Sequence, residues 1–315
     1  MLKYFSCFII ILLFGCYDKN KNFKSPTSNL PTAHSDFNSY WYTGKAEVNN
    51  YQLTQARYGE LREGEATMIF VTEDFSTSKQ VKLDNPGNAG NDKLTVLKLN
   101  FLKRFNTGIY PYTLMLSNFT AVDMQTHPFT IKSTCSITEW CGQVYAQLNF
   151  KNNQFKINSY SYFETEGDTS FTIKPSFTED EIWNKIRLNP ASLPIGKIEI
   201  LNGLFNHRML HQPLQIQEAT TSKDSVSNNP SWLNTTENLH QYKVIFKNNR
   251  ELIIYYQATT PFKIMGWQET YEDGFADNKK LQTTKAVLKK TMMIDYWKHN
   301  QLIDNSLRDS LSIKF

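Results

Sequence analysis

From Trp41 almost to its end the chain repeats one pattern, strand-length runs of alternating or β-branched residues, each closed by Gly, Pro, Asn or Asp. A period of two commits the backbone to ladders and leaves runs with an apolar face to cover, and sequential strands tend to lie side by side. Thr43 to Tyr58 and Ala66 to Glu73, around Arg62-Glu63-Gly64-Glu65, read as one hairpin. Lys93 to Phe105 and Ile109 to Phe119, around Asn106-Thr107-Gly108, read as another. Phe129 to Thr138, Gln143 to Phe150 and Gln154 to Glu164 continue the meander. Lys197 to Leu201, Leu214 to Ala219, Tyr242 to Phe246, Glu251 to Ala258, Phe262 to Tyr271 and Thr284 to Ile294 complete it, about a dozen strands in all. One helix is well signalled: Thr178 and Glu181 form a capping box, Ile182, Trp183 and Ile186 share a face, and Pro190 ends it. The expected fold is therefore mainly β, one large curved antiparallel sheet or open barrel with one or two short helices. Residues 36–315 read as a single β-rich domain, and the polar, turn-rich stretch 220–238 is a loop around which two lobes could divide.

The N-terminus carries an address. Residues 1–15 have one cation, Lys3, and then an apolar run of about ten residues, too short to span a bilayer, as in a signal peptide. The run stops at Leu13-Phe14-Gly15-Cys16, which resembles a bacterial lipobox, where the cysteine takes a diacylglycerol thioether before cleavage on its N-terminal side. Acyl chains on Cys16, at about 0.8 kcal/mol per buried methylene, would anchor the protein to a membrane without a transmembrane helix. An ordinary secretory signal is the alternative, and Asp18, Lys19 and Lys21 argue against it by ending the apolar run abruptly. Residues 16–35 stay polar and read as a flexible tether. The expected location is the cell envelope, lipid-anchored.

Cys7 would leave with the signal and Cys16 would carry lipid, so Cys135 and Cys141 remain. They can form a disulfide if the chain turns back between them to bring the α-carbons within about 7 Å. A straight strand would hold them about 20 Å apart. Two thiols without a nearby His pair fall short of a metal site.

No phosphate loop, dinucleotide fingerprint, Gly-x-Ser-x-Gly, His-Glu-x-x-His or Cys-x-x-Cys occurs, so no cofactor and no catalytic residue is expected. A formal charge of +4 without a basic cluster argues against nucleic acid as a partner. His207 and His211 read as extended chain, about 13 Å apart, with a structural or exposed role. Polar residues inside strands, among them Gln55, Arg57, Glu60, Glu73, Glu139, Tyr145, Gln147 and Glu164, could converge as a ligand-orienting cluster, or else be solvated faces and cross-strand pairs. Arg57, Glu73, Tyr110, Glu139 and Tyr145 are the candidates for contact with a ligand. Leu311-Ser312-Ile313-Lys314-Phe315 resembles the terminal strand of an outer-membrane barrel, but Asp304 to Leu311 can equally form a short helix with Leu307 and Leu311 on one face.

Tyr40-Trp-Tyr-Thr-Gly-Lys-Ala-Glu-Val-Asn-Asn-Tyr-Gln-Leu-Thr-Gln-Ala-Arg-Tyr-Gly-Glu60, Val71-Thr-Glu-Asp-Phe75, Asn106-Thr-Gly-Ile-Tyr-Pro-Tyr112, Glu139-Trp-Cys-Gly142 and Trp183-Asn-Lys-Ile-Arg-Leu-Asn-Pro190 together resemble a family of Bacteroidetes lipoproteins often labelled septum formation inhibitor. The resemblance implies location, the outer membrane by family habit, and no particular activity. The Ser-x-Ser-Pro-Arg-Arg signature of the pyrophosphatase-like septum inhibitors is absent, since Thr27 and Ser28 follow Ser25-Pro26. Two kinds of partner are expected besides the membrane: a lipid or other amphipathic ligand held in the curved β body of a non-enzymatic lipoprotein, or another envelope protein that it helps assemble. An unfamiliar envelope hydrolase is a third reading, which needs the strand carboxylates and Arg57 in one cleft.

Overall fold

A computed structural model describes residues 36–275 and 278–314. The expected signal peptide (1–15), Cys16 and the expected tether (16–35) lie outside the described residues. After a short helix α1 (Phe37–Trp41), the first half of the chain is a meander: β1 (Ala46–Arg57), β2 (Glu60–Ser76), β3 (Lys93–Thr107), β4 (Tyr110–Ala121), β5 (Lys132–Glu139), β6 (Gly142–Lys151), β7 (Gln154–Tyr160) and β8 (Thr169–Ile173). The second half begins with β9 (Phe177–Thr178), α2 (Ile182–Leu188), β10 (Gly196–Leu201) and α3 (Leu204–Met209). It continues through β11 (Ile216–Ser225), β12 (Leu239–Phe246), β13 (Glu251–Gln257), β14 (Ile264–Asp273) and β15 (Lys280–Ile294) to α4 (Ser306–Ser310).

All fifteen strands lie in one curved sheet, in the order β8-β7-β6-β5-β4-β3-β2-β1-β15-β14-β13-β12-β11-β10-β9. Every pairing is antiparallel except β9 with β10. The two edge strands, β8 and β9, are consecutive in the chain, while the first and last strands pair at the middle of the sheet, Ala46 opposite Ile294. The fold is thus mainly β and barrel-like, an open curved sheet. Four short α-helices occur among the described residues, where one or two were expected.

Polarity follows the pleat. Along β3 the inner face carries Leu97, Leu99, Phe101 and Phe105, all buried, whereas Lys98, Asn100 and Arg104 point outwards. Apolar inside and polar outside is the reverse of a transmembrane barrel. Among the described residues no helix is long and apolar enough to cross a membrane. The interior is filled rather than hollow: α2 and α3 lie against the concave face, and Trp183, Trp267, Phe101 and Phe205 meet there edge to face at 5.2–5.4 Å between ring centres.

The capping box forms as read, with the Glu181 amide donating to the Thr178 hydroxyl and the Thr178 amide to the Glu181 carboxylate. The first hairpin turns at Tyr58-Gly59, not at Arg62–Glu65, which runs on inside β2. Both turn residues have positive φ, +59° and +75°, the geometry whose twist matches a two-residue hairpin. The stretch 220–238 is only partly a loop, because β11 continues through Ser225 and pairs with β12. The region read as extended around His207 is α3. At the C-terminus, Leu307 and Leu311 pack with Val48 and Ile294 on the outer face of the sheet.

Candidate binding cleft at the hairpin end

The turns β1–β2, β3–β4 and β5–β6 lie at the end of the sheet opposite α1, and α3 and the β14–β15 loop reach the same end. Between them opens a cleft of about 360 Å³, lined among others by Arg57, Tyr58, His211, Arg250, Asp273 and Phe275. The β14–β15 loop is pressed onto the first hairpin: the Gly59 amide donates to Asp273 Oδ2 at 2.6 Å, and a Cβ on Gly59 would stand 2.9 Å from the Asn278 carbonyl oxygen. Only glycine fits there, on both space and φ.

Arg57 ends β1 on the inner face and is buried. Its Nη1 donates to the Met209 carbonyl at 2.6 Å, and its Nη2 donates to the phenol oxygens of Tyr58 and Tyr112, each at 3.2 Å. The two phenols are 2.6 Å apart, and the Tyr58 ring lies 4.2 Å from the guanidinium carbon. Its hydrogen-bond partners among the described residues are thus neutral, and Nε has none. The neighbouring Arg250 shows the usual solution: it is equally buried but sits between Glu179, at 2.5 Å, and Glu269, at 2.6 Å.

Arg208 of α3 is a second poorly compensated cation. Glu139 reaches it only at 4.0 Å, Phe163 stacks on it at 4.2 Å, and its Nε also lacks a partner. Burial and the charge of Arg57 lower its proton affinity, partly opposed by Glu166, Tyr112 and Glu139. His211, at positive φ, links Arg208 Nη1 at 3.0 Å to Glu166 Oε1 at 2.7 Å. The cluster therefore combines two buried guanidiniums with phenols and an aromatic lip at Phe275, whose ring centre is 5.6 Å from that of Tyr58. Such an arrangement attracts an anion and offers apolar surface beside it.

Of the ligand-contact candidates, Arg57, Tyr110 and Glu139 reach this end. Tyr110 packs on Tyr112 at 5.9 Å and on Trp140 at 6.2 Å, and Glu139 accepts from the Cys141 amide at 2.7 Å. Glu73 lies on the outer face, paired with Lys98 at 2.5 Å. Tyr145 is also outside, exposed and stacked on Tyr160. Gln55 is inside but bound to Tyr271 and Thr284, and Glu60 and Glu164 are exposed. Sequence reading missed Tyr58, Arg208 and Glu166, weighed Tyr112 with Tyr110 as a pocket-lining tyrosine but favoured simple packing, and placed His211 in extended chain. The one local signal was Tyr58-Gly59, a two-residue turn that fixes Tyr58 beside Arg57.

Cys135 and Cys141 are both free. Cys135 is buried inside β5, which runs straight to Glu139, and Cys141 is exposed in the following turn, so the chain never folds back to join them. No group of three or more His, Cys, Asp and Glu side chains is placed to hold a metal ion among the described residues.

No protein-family model and no curated protein matches the sequence. Among solved structures, a β-barrel-like protein of the domain of unknown function DUF1849 from Brucella abortus is similar at 8% identity and a TM-score of 0.45, over 80% of this chain and 98% of that one.

Proposed function

We propose that this chain is a non-enzymatic, lipid-anchored envelope protein whose β body binds an amphipathic anion at its hairpin end. Arg57 carries the reading. It is a buried guanidinium in a cleft, held by a carbonyl and two phenols with no carboxylate among the described residues to neutralise it, and a buried charge left in that state is costly unless a ligand completes it. Aromatic side chains of α2, α3 and the sheet pack together in the interior, so the ligand's apolar portion belongs against Tyr58 and Phe275 at the mouth, with its anionic head towards Arg57.

Native mass spectrometry of the whole protein, released from detergent and compared with its denatured mass, tests this. The wild type should retain an acidic adduct and Arg57→Gln should lose it. A bare mass for both proteins would overturn the reading. Exposed Ile109 and Trp140, on the tips of adjacent hairpins, favour a second reading, a docking face for another envelope protein. Crosslinking from Cys141 in intact cells to one reproducible protein would select it.

A further inference from the structure

The opposite end of the sheet carries its own exposed apolar group. After β15 the chain turns through Tyr296–Lys298 and Leu302–Asn305 before α4, leaving Leu302 88% exposed, Ile303 84% and Trp297 46%. This segment starts where β1 starts, since Ile294 pairs with Ala46, only a few residues from α1. The strand end of β2 separates the two: the Thr72 hydroxyl donates to the Trp41 carbonyl at 3.2 Å, and Tyr296 lies close enough to Glu73 to feel its charge. Tyr42, half exposed, sits on the same rim. The described chain begins, at Asp36, at this same end of the sheet, against the β13–β14 loop, where the Thr260 hydroxyl donates to Asp36 Oδ2 at 3.4 Å.

We propose that this patch rests on the phospholipid bilayer that holds the acyl chains of Cys16, and so fixes the body with its Arg57 cleft facing away from the membrane. The inference rests on the lipid-anchor part of the reading above. Residues 16–35 span at most about 65–70 Å when extended, and β3 is about 50 Å long. The anchor alone would thus let the body lie either way up. A second membrane contact is what turns a leash into an orientation, and Trp with large aliphatic side chains is the composition that partitions into the interface. The rival face is the hairpin end with Ile109 and Trp140. The position of Asp36 decides between them, because the end bearing the tether's root spends most time near the bilayer.

The experiment uses the full-length, processed protein in vesicles of phosphatidylethanolamine and phosphatidylglycerol. An NBD dye is attached either to the native Cys141 or, in a Cys141→Ser background, to Ile303→Cys, and spin-labelled lipid serves as the quencher. The dye at position 303 should shift to the blue and be quenched, and the dye on Cys141 should do neither. A dye at 303 that stays in water, or quenching on Cys141 alone, overturns the inference. The mass of the N-terminal peptide separates the two levels. An acylated Cys16 with a water-exposed dye at 303 sinks the orientation only, whereas an unmodified Cys16 removes the anchor and the orientation together.

Discussion

His211 illustrates how single residues set the chemistry of the cleft. An arginine can only donate, so Nε2 must accept from Arg208 and Nδ1 must carry the proton that goes to Glu166, which makes the ring neutral. Burial, together with the charges of Arg208 and Arg57, holds its proton affinity below the usual histidine range, and the Glu166 bond pulls the other way. As pH falls through about 6.5 the unfolded chain takes up this proton before the native one, so the increment is present above that pH and lost below it. His211→Gln, which cannot titrate, should lose less stability than wild type between about pH 7.5 and about 5.5 in urea denaturation. Equal losses would exclude the neutral ring. The sequence offered Arg57, Tyr110 and Glu139 as polar or aromatic strand residues, yet gave no hint of Arg208 and put His211 in extended chain. The reason lies in α3, whose N-terminus lacks a local cap: its Gly203 and Leu204 amides donate to Glu179 and Asp180, from a distant part of the chain. A cap supplied by tertiary contact leaves no trace in a local window.

Among the elements, α2 shows the opposite case. Its seven residues are too few to be stable alone, and its capping box was readable because Thr178 and Glu181 are neighbours. What holds it inside the sheet was not readable. Arg187 grips Glu47 of β1 through both Nη atoms, at 2.5 and 2.7 Å, with neither side chain exposed, and Tyr40 of α1 donates to the same carboxylate. Asn184 donates to the Leu97 carbonyl at 2.8 Å. Arg187→Met would leave Glu47 buried and unpaired, and should cost about 3–5 kcal/mol. Adding Glu47→Leu removes the orphan charge and should recover a good part of that loss, read as the midpoint of guanidinium denaturation. A single variant as stable as wild type would refute the pairing. Strand boundaries were legible wherever alternation was clean, as in β3 and β4. They failed at the first turn, because Arg62-Glu63-Gly64-Glu65 looks more turn-like than Tyr58-Gly59 although the latter has the right backbone. They failed again at 220–225, where Thr, Ser and Lys on a half-exposed strand read as loop.

For the whole molecule, the sheet behaves as a ring whose strand order follows the chain all the way round, with the break between β8 and β9, joined only by residues 174–176. Adjacent strands in sequence are adjacent in space, which is why the class of fold could be read from strand signals and turns alone. The exception is β1 with β15, in which the partners Ala46 and Ile294 come from opposite ends of the chain. Residues 46–173 and 177–294 can each form a local meander early, and their union waits for the longest loop in the protein to close. A circular permutant that links the present termini and opens at 174–176 makes this pairing local. It should refold faster than the natural order in stopped-flow measurements, and an unchanged rate would mean that another step limits folding. The same ring places the seam, with its two unpaired strand edges, far along the chain from both termini. A ribosome making this protein releases one whole half of the ring, with β1 and β8 as its open edges, before the half that covers β1 has been synthesised. For that interval the nascent chain offers two sticky borders, one of which the finished protein conceals at its centre.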